Sequence, residues 1–356
     1  MPEAYAKSRE KIVVRKWVTK LKQNSYFNRR PFQFAAPSVS EGKVFVGVHR
    51  EIFYAIDARR GKKLWKFKTH GPIHAQAQVH GGKVYFGDME GVVYCLDAET
   101  GTAVWMTRLE GPVMSAPLIV GSNLYISTLT KDLAALKLED GKIIWQVNFS
   151  GPESGFSVKG AADPVLFGSL ILIGYSDGML MAHRLSDGQP VWAKQLGDPV
   201  EEFHDVDATV RLEGPGIQVD GVRAYVTSAD GGLYALNPWN GDIFWQAPVG
   251  GVNEVALADA HLYATAGGVL YSFQKASGKI LWEQDLEVPE VSSPVIYENR
   301  LAAVATKGRA FFLDRLTGDI LYSWYVRGGS YSDPVLDGKR LYILSNAGRL
   351  YAFEFK

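Results

Sequence analysis

Leu96-Asp97-Ala98-Glu99-Thr100-Gly101-Thr102-Ala103-Val104-Trp105 reads as the end of one strand, a tight turn and the start of the next strand, and the chain repeats it. Further copies are Tyr54-Ala55-Ile56-Asp57 with Gly61 and Trp65, Ala134-Ala135-Leu136 with Gly141 and Trp145, and Ala182-His183 with Gly188 and Trp192. Tyr234-Ala235-Leu236-Asn237 with Gly241 and Trp245, and Tyr271-Ser272-Phe273 with Gly278 and Trp282, continue the series. A seventh, Phe311-Phe312-Leu313-Asp314 with Gly318, carries Tyr322 where the tryptophan belongs. From Trp65 onward the spacings are 40, 40, 47, 53, 37 and 40 residues.

Each unit also holds two earlier apolar segments, such as Ser115-Ala116-Pro117-Leu118-Ile119 and Asn123-Leu124-Tyr125-Ile126-Ser127. That makes four short strands per repeat. Pairs such as Asp140-Gly141, Asp187-Gly188, Asn240-Gly241, Asp337-Gly338 and Asp220-Gly221 suit turns that need positive φ. Four-stranded antiparallel units at a period near 40 predict an all-β protein, a β-propeller. The last unit supplies Pro334-Val335-Leu336, Arg340-Leu341-Tyr342-Ile343 and Leu350-Tyr351-Ala352-Phe353 and then stops at Lys356, one strand short. Near the start, Trp17-Val18-Thr19-Lys20-Leu21 matches Trp105-Met106-Thr107-Arg108-Leu109 with no three strands before it. Pairing the two remnants leaves no open sheet edge. The expected fold is an eight-bladed propeller, the ring closed by an N-terminal strand completing the C-terminal blade, with residues 1–10 a polar tail and residues 11–356 a single propeller domain.

Composition narrows the function. The 38 Lys plus Arg balance 38 Asp plus Glu, so no whole-molecule field draws nucleic acid or anionic lipid. Arg29-Arg30 beside Pro31-Phe32 is a connector patch. No apolar run reaches the 18 or so residues of a membrane span, and Met1–Glu10 is polar, so either the protein is cytoplasmic or an export segment has been removed. Cys95, the one cysteine, sits in Val92-Val93-Tyr94-Cys95-Leu96 and reads as a buried small apolar residue. His70 and His74 flank Gly71-Pro72, which forbids the helix that a four-residue ligand pair presupposes; they are expected in a loop. No catalytic or cofactor-binding motif stands out, and neither cofactor nor metal is expected.

The phrase at 96–105 closely resembles the tryptophan-docking repeat of the pyrroloquinoline-quinone (PQQ) propeller superfamily, and the resemblance runs through all units. Within it, the quinone-dependent dehydrogenases are longer and hold their quinone with a vicinal disulfide and a calcium ion. A chain of this length with one cysteine is instead similar to the BamB family, propeller lipoproteins of the outer-membrane β-barrel assembly machinery. That resemblance implies a non-catalytic scaffold at the periplasmic face of the outer membrane, with a BamA-type barrel-assembly protein as partner and nascent outer-membrane proteins as a further one. The alternatives are a PQQ-dependent oxidoreductase and a ligand-sensing propeller.

Two segments carry the site expectation. Ser154-Gly155-Phe156-Ser157-Val158-Lys159-Gly160-Ala161-Ala162-Asp163-Pro164 resembles the family's Ser-Leu-Ser-Leu-Arg-Gly-Glu-Ser-Ala-Pro, whose leucines and arginine help to bind BamA. The matching positions are Phe156, Val158 and Lys159, with lysine losing the planar fork of arginine. Phe203-His204-Asp205-Val206-Asp207-Ala208-Thr209 resembles Leu-Ser-Asp-Val-Asp-Thr-Thr-Pro, with Val210 in place of the proline; Asp205 and Asp207 match its partner-contacting aspartates. Arg211-Leu212-Glu213-Gly214-Pro215-Gly216 reads as an insertion relative to that family. Independently of any family, the long 47- and 53-residue intervals concentrate extra loop between blades three and five, where a rigid scaffold carries specificity. If extended, residues 205–207 project both aspartates to one face; the competing reading has them cap local turns and pair with Lys159.

Overall fold

Apolar residues run almost without interruption through the third segment of each repeat, and in the computed structural model such segments are strands covered on both faces. The structure describes residues 12–21, 33–149, 162–196, 206, 209–213 and 221–356. Among these, every sheet has four strands, and there are eight sheets. Blade 2 is representative: Gln78–His80 lies innermost, then Lys83–Gly87, Val92–Asp97 and, outermost, Ala103–Arg108. Val93, Tyr94, Cys95 and Leu96 are fully buried, whereas the innermost and outermost strands alternate. A middle strand is pressed between two neighbouring blades, so both its faces must be apolar. Eight apolar clusters, one between each pair of adjacent blades, carry the core around the ring.

The repeated phrase builds the joint between blades. Asp97 Oδ1 accepts from the Thr100 and Glu99 amides at 2.7 and 3.1 Å, and the Gly101 amide donates to the Asp97 carbonyl at 2.9 Å. This turn closes with Gly101 at φ +75°, where a side chain is disfavoured. Trp65 of the preceding blade lies on that glycine and donates from Nε1 to the Ala98 carbonyl at 3.1 Å. Trp105, Trp192, Trp245 and Trp282 donate in the same way to Leu138, Pro238, Lys275 and Arg315 of the next blade, at 3.0–3.3 Å. Between the third and fourth strands a bulge accompanies the tryptophan: Cys95 pairs Trp105 but Leu96 pairs Ala103, which leaves Val104 unpaired and exposed.

The ring closes as the two chain ends imply. Val13–Lys20 pairs antiparallel with Arg349–Phe355, from Val13 opposite Phe355 to Lys20 opposite Arg349. Even the bulge is kept, between Arg15 and Trp17. Trp17 lies on Gly61 and donates to the Ala58 carbonyl at 3.1 Å, joining blade 8 to blade 1. The exception at Tyr322 now has a cause. It is paired with Phe312 as Trp105 is with Cys95, but blade 8 has no turn between its third and fourth strands, because the chain begins and ends there. With no turn glycine to cover, the seam is filled by Phe312, Phe353, Phe355 and Trp324, with the Arg15 guanidinium 5.6 Å from the Trp324 ring centre. The first segment of each repeat is shorter than its apolar run suggested: Leu118–Val120 is the strand, and Ser115–Pro117 leads into it irregularly.

Candidate functional site: the inter-blade connections and the central cavity

In an antiparallel four-stranded blade, the link from outermost strand to the next innermost strand lies on one face of the ring, and the Asp–Gly turns lie on the other. These connections run over residues 69–77, 109–117, 248–255, 286–294 and 326–334, but are lengthened to 149–164 and 196–210 on either side of blade 4 and to 21–37 between blades 8 and 1. All three long connections therefore share a face. The 53-residue interval divides differently from its reading as one lengthened inter-blade loop. Part of its excess falls in 213–223, between the innermost strand Arg211–Leu212 and Ala224–Ser228 of blade 5, which is on the opposite face.

Phe156, Val158, Lys159, Asp205 and Asp207, and likewise Arg29 and Arg30, lie outside the described residues. What is described is the frame around them. Val206, between the two aspartates, is fully buried on Gly174, and its amide donates to the Tyr175 carbonyl at 3.1 Å. Ile73 and Val113 sit on Gly47 and Gly87 in the same way, so Val206 is the repeat's own anchor and the additional length precedes it. At the other segment, Phe149 packs on His183 with ring centres 4.4 Å apart, and Asp163 receives the Ala116 amide at 2.6 Å. Lys131 and Asp177 tie blades 3 and 4 on this face at 2.9 Å. His70 and His74 lie in the 69–77 connection: His70 Nδ1 is 2.8 Å from the Tyr94 hydroxyl, and His74 Nε2 is 2.9 Å from His49 Nδ1. Cys95 is buried in the core, its thiol pushed up to about 11, chiefly by burial.

The axis of the ring is a cavity of about 1330 Å³. The position two residues before the innermost strand lines it in every blade, and the side chains there alternate. Odd blades place Ala36, Ala116, Thr209 and Ser293; even blades place Gln76, Asp163, Glu254 and Asp333. Each longer side chain bonds to the backbone of the blade before it. Gln76 Nε2 donates to the Pro37 carbonyl at 2.8 Å, and Asp163, Glu254 and Asp333 accept from the Ala116, Thr209 and Ser293 amides at 2.6, 3.3 and 2.8 Å. The eightfold ring is thus fourfold at its axis. Arg211 pairs with Glu254 at 2.5 Å. Sequence reading missed this set; aligning the repeats on the innermost strand, with its Ala-Asp-Pro and Ser-Asp-Pro words, would have exposed the alternation.

Burial, with the Glu254 charge second, lifts Asp163 to about 7 and Asp333 to about 6, while Arg211 opposes the shift. In an unfolded chain an aspartate titrates near ~3.9. The folded state therefore favours the neutral carboxyls, and their contribution to stability is complete below about pH 4 and lost as the pH rises through about 6 to 7. Asp163→Asn with Asp333→Asn, which keeps an acceptor for each amide, is expected to melt above the parent at pH 8 and to lose most of that advantage at pH 4. Thermal unfolding of both proteins at the two pH values checks this.

Comparison with known proteins places the chain. A family model described as "Outer membrane protein assembly factor BamB" matches residues 48–263 and 229–356. Curated proteins of that name are similar: from Legionella pneumophila (strain Paris), 29% identical over 195 residues, covering 54% of this chain and 50% of the relative, and from Pseudomonas aeruginosa, 24% over 203 residues, covering 56% and 53%. The chain thus spans about half the length of the curated relatives it matches. Among solved structures, BamB from Moraxella catarrhalis superposes with TM-score 0.82 at 20% identity, covering 97% of this chain and all of the other. Quinohemoprotein alcohol dehydrogenase from Comamonas testosteroni superposes with TM-score 0.78 at 14% identity, covering 96% and 76%; at such identity both show the fold.

Proposed function

Since the chain belongs to the family of the outer membrane protein assembly factor BamB, we propose that it is a non-catalytic scaffold in outer-membrane β-barrel protein assembly, working at the periplasmic face of that membrane. Its partner is the BamA-type assembly protein, whose periplasmic domains it holds through residues 156–159 and 205–207. The observation that carries this reading is the family match, which reaches from residue 48 to the C-terminus. Two of the three lengthened connections, 149–164 and 196–210, flank blade 4 on that face, which supports it. A disc of eight blades locked by tryptophan joints gives those connections a stiff base, so that little ordering cost falls on binding.

In this reading Phe156 and Val158 form the apolar anchor, and Asp205 and Asp207 meet basic groups of the partner. The test is capture of the partner's purified periplasmic domains by the parent, Phe156→Ala and Asp205→Ala proteins. Each variant is expected to weaken capture about 10- to 30-fold, the effect of losing a residue worth about 1.4–2 kcal/mol at an interface, with an unchanged melting temperature. If Asp205 instead caps a local turn, Asp205→Ala lowers the melting temperature and leaves capture intact. Equal capture by both variants contradicts the site.

The quinone-dependent reading is favoured only by the shared propeller fold. Addition of PQQ and calcium to the purified protein is expected to leave no bound chromophore after desalting and no dye reduction. Either signal would replace the scaffold reading with an enzymatic one.

A further inference from the structure

The axial cavity concentrates negative charge in a chain whose charges otherwise balance at 38 against 38. Among the described residues lining it are four carboxylates, Asp163, Glu254, Glu290 and Asp333, and one guanidinium, Arg211. Three of the carboxylates come from alternate blades, each fixed by a backbone amide of its neighbour, so their positions are built into the ring. They do not converge. Among the described residues no group of three His, Cys, Asp or Glu side chains could hold a metal ion. A point charge therefore cannot satisfy them together, whereas a flexible molecule with several separated charges can.

A second feature is independent of charge. Thr227 lines the same cavity, is 2% exposed, and its Oγ1 has no hydrogen-bond partner. Continuing the register in which Arg211 faces Tyr225 and Leu212 faces Ala224 places Thr227 opposite Thr209, whose amide donates to Glu254. The corresponding Thr265 and Ser127 hydroxyls in blades 6 and 3 both donate to carbonyls of the next blade. Of these three hydroxyls Thr227's alone has no partner, at the kind of buried position where an unmet hydroxyl is costly. Apolar cover is present too: Phe34 lies against His74 and Tyr331, with ring centres 5.1 and 5.8 Å away, and all three line the cavity. Burial and the neighbouring His49 lower His74 to about 4, so it adds no positive charge at neutral pH.

We propose that the axial cavity is a binding site for an extended organic polycation of the aliphatic polyamine class, its ammonium groups on Asp163, Glu254 and Asp333, one of them also reaching Thr227, and its methylene spacers against the aromatic and apolar lining. The cavity volume of about 1330 Å³ is ample for such a chain. Ammonium groups in a carboxylate-lined, partly desolvated cleft are held far more strongly than on an open surface, and the Phe34 and Tyr331 rings offer apolar contact to methylenes and cation–π attraction to an ammonium over a ring face. Bound cations oppose the burial and the Glu254 charge that hold protons on Asp163 and Asp333. Binding near pH 7 consequently releases protons.

The probe is spermidine, titrated calorimetrically into the full chain at pH 7 and low salt, in two buffers of different ionisation enthalpy. Saturable one-to-one binding with net proton release is expected. Asp163→Asn with Asp333→Asn should weaken it at least tenfold and abolish most of the proton release. Thr227→Val, which changes shape little and removes a hydroxyl that has no partner in the free protein, should weaken it several-fold without lowering the melting temperature. Should the double variant fold poorly, the Thr227→Val titration still decides. Magnesium at matched charge concentration should not displace the bound probe. An absence of saturable heat overturns the proposal, as does binding that survives both sets of substitutions unchanged or that magnesium displaces at equal charge.

Discussion

A chain lacking residues 1–21 is expected to lose its cooperative thermal transition. The deletion removes Val13–Lys20, the outermost strand of blade 8, and leaves the Arg349–Phe355 strand with an unpaired edge. It also opens two inter-blade clusters at once. Ile12, Val13 and Val18 pack into the cluster between blades 7 and 8, and Trp17 and Leu21 into the one between blades 8 and 1. Trp17 is partly buried, so its share lies below the roughly 4–6 kcal/mol that full burial of a tryptophan, roughly 150–250 Å² at about 25 cal/mol per Å², is worth as an upper bound. Total stabilities of roughly 5–15 kcal/mol leave little after such a loss. Calorimetry should show a broad, low-enthalpy transition and a tendency to associate through the bare edge. A peptide of residues 11–21 added in trans should restore part of the transition. A truncated chain that melts as the intact one does would show that the ring does not depend on this strand.

The second large effect is expected at Gly101. A Cβ built there falls 2.6 Å from two atoms of the Trp65 ring, and the backbone stands at φ +75°. Gly101→Ala therefore combines the left-handed penalty of about 1–2 kcal/mol with displacement of the tryptophan that joins blade 1 to blade 2, a packing loss of about 3 kcal/mol or more. Gly81 isolates the first term. It too has positive φ, at +56°, but no atom lies within 4 Å of its Cβ. Chemical denaturation should show Gly101→Ala destabilised by about 4 kcal/mol or more and Gly81→Ala by about 1–2 kcal/mol. Equal effects would mean that the docked tryptophan contributes little.

The joint could be read from sequence because it is local and periodic: an aspartate or asparagine, a glycine at fixed distance and a tryptophan beyond it recur together, and each has one physical task. Ring closure followed from the orphan Trp17 segment and the missing fourth strand after Phe353. The reason for Tyr322 was not legible. It lies in the neighbouring blade, whose missing turn becomes visible only when blades are laid side by side. The axial alternation escaped for a similar reason, since Gln76, Asp163, Glu254 and Asp333 bond across blades, to partners 39 to 47 residues away. Length differences did locate the extra loop, but not its division between the two faces at blade 5, because counting from tryptophan to tryptophan merges two separate connections.

The scaffold reading and its surface stand or fall together in hydrogen–deuterium exchange of the full chain, alone and with the purified periplasmic domains of the BamA-type partner. Protection on binding is expected in peptides covering 150–161 and 197–208, with the outermost strands and the Asp–Gly turns on the far face unchanged. Protection centred on those strands or turns, or no complex at all, would contradict it.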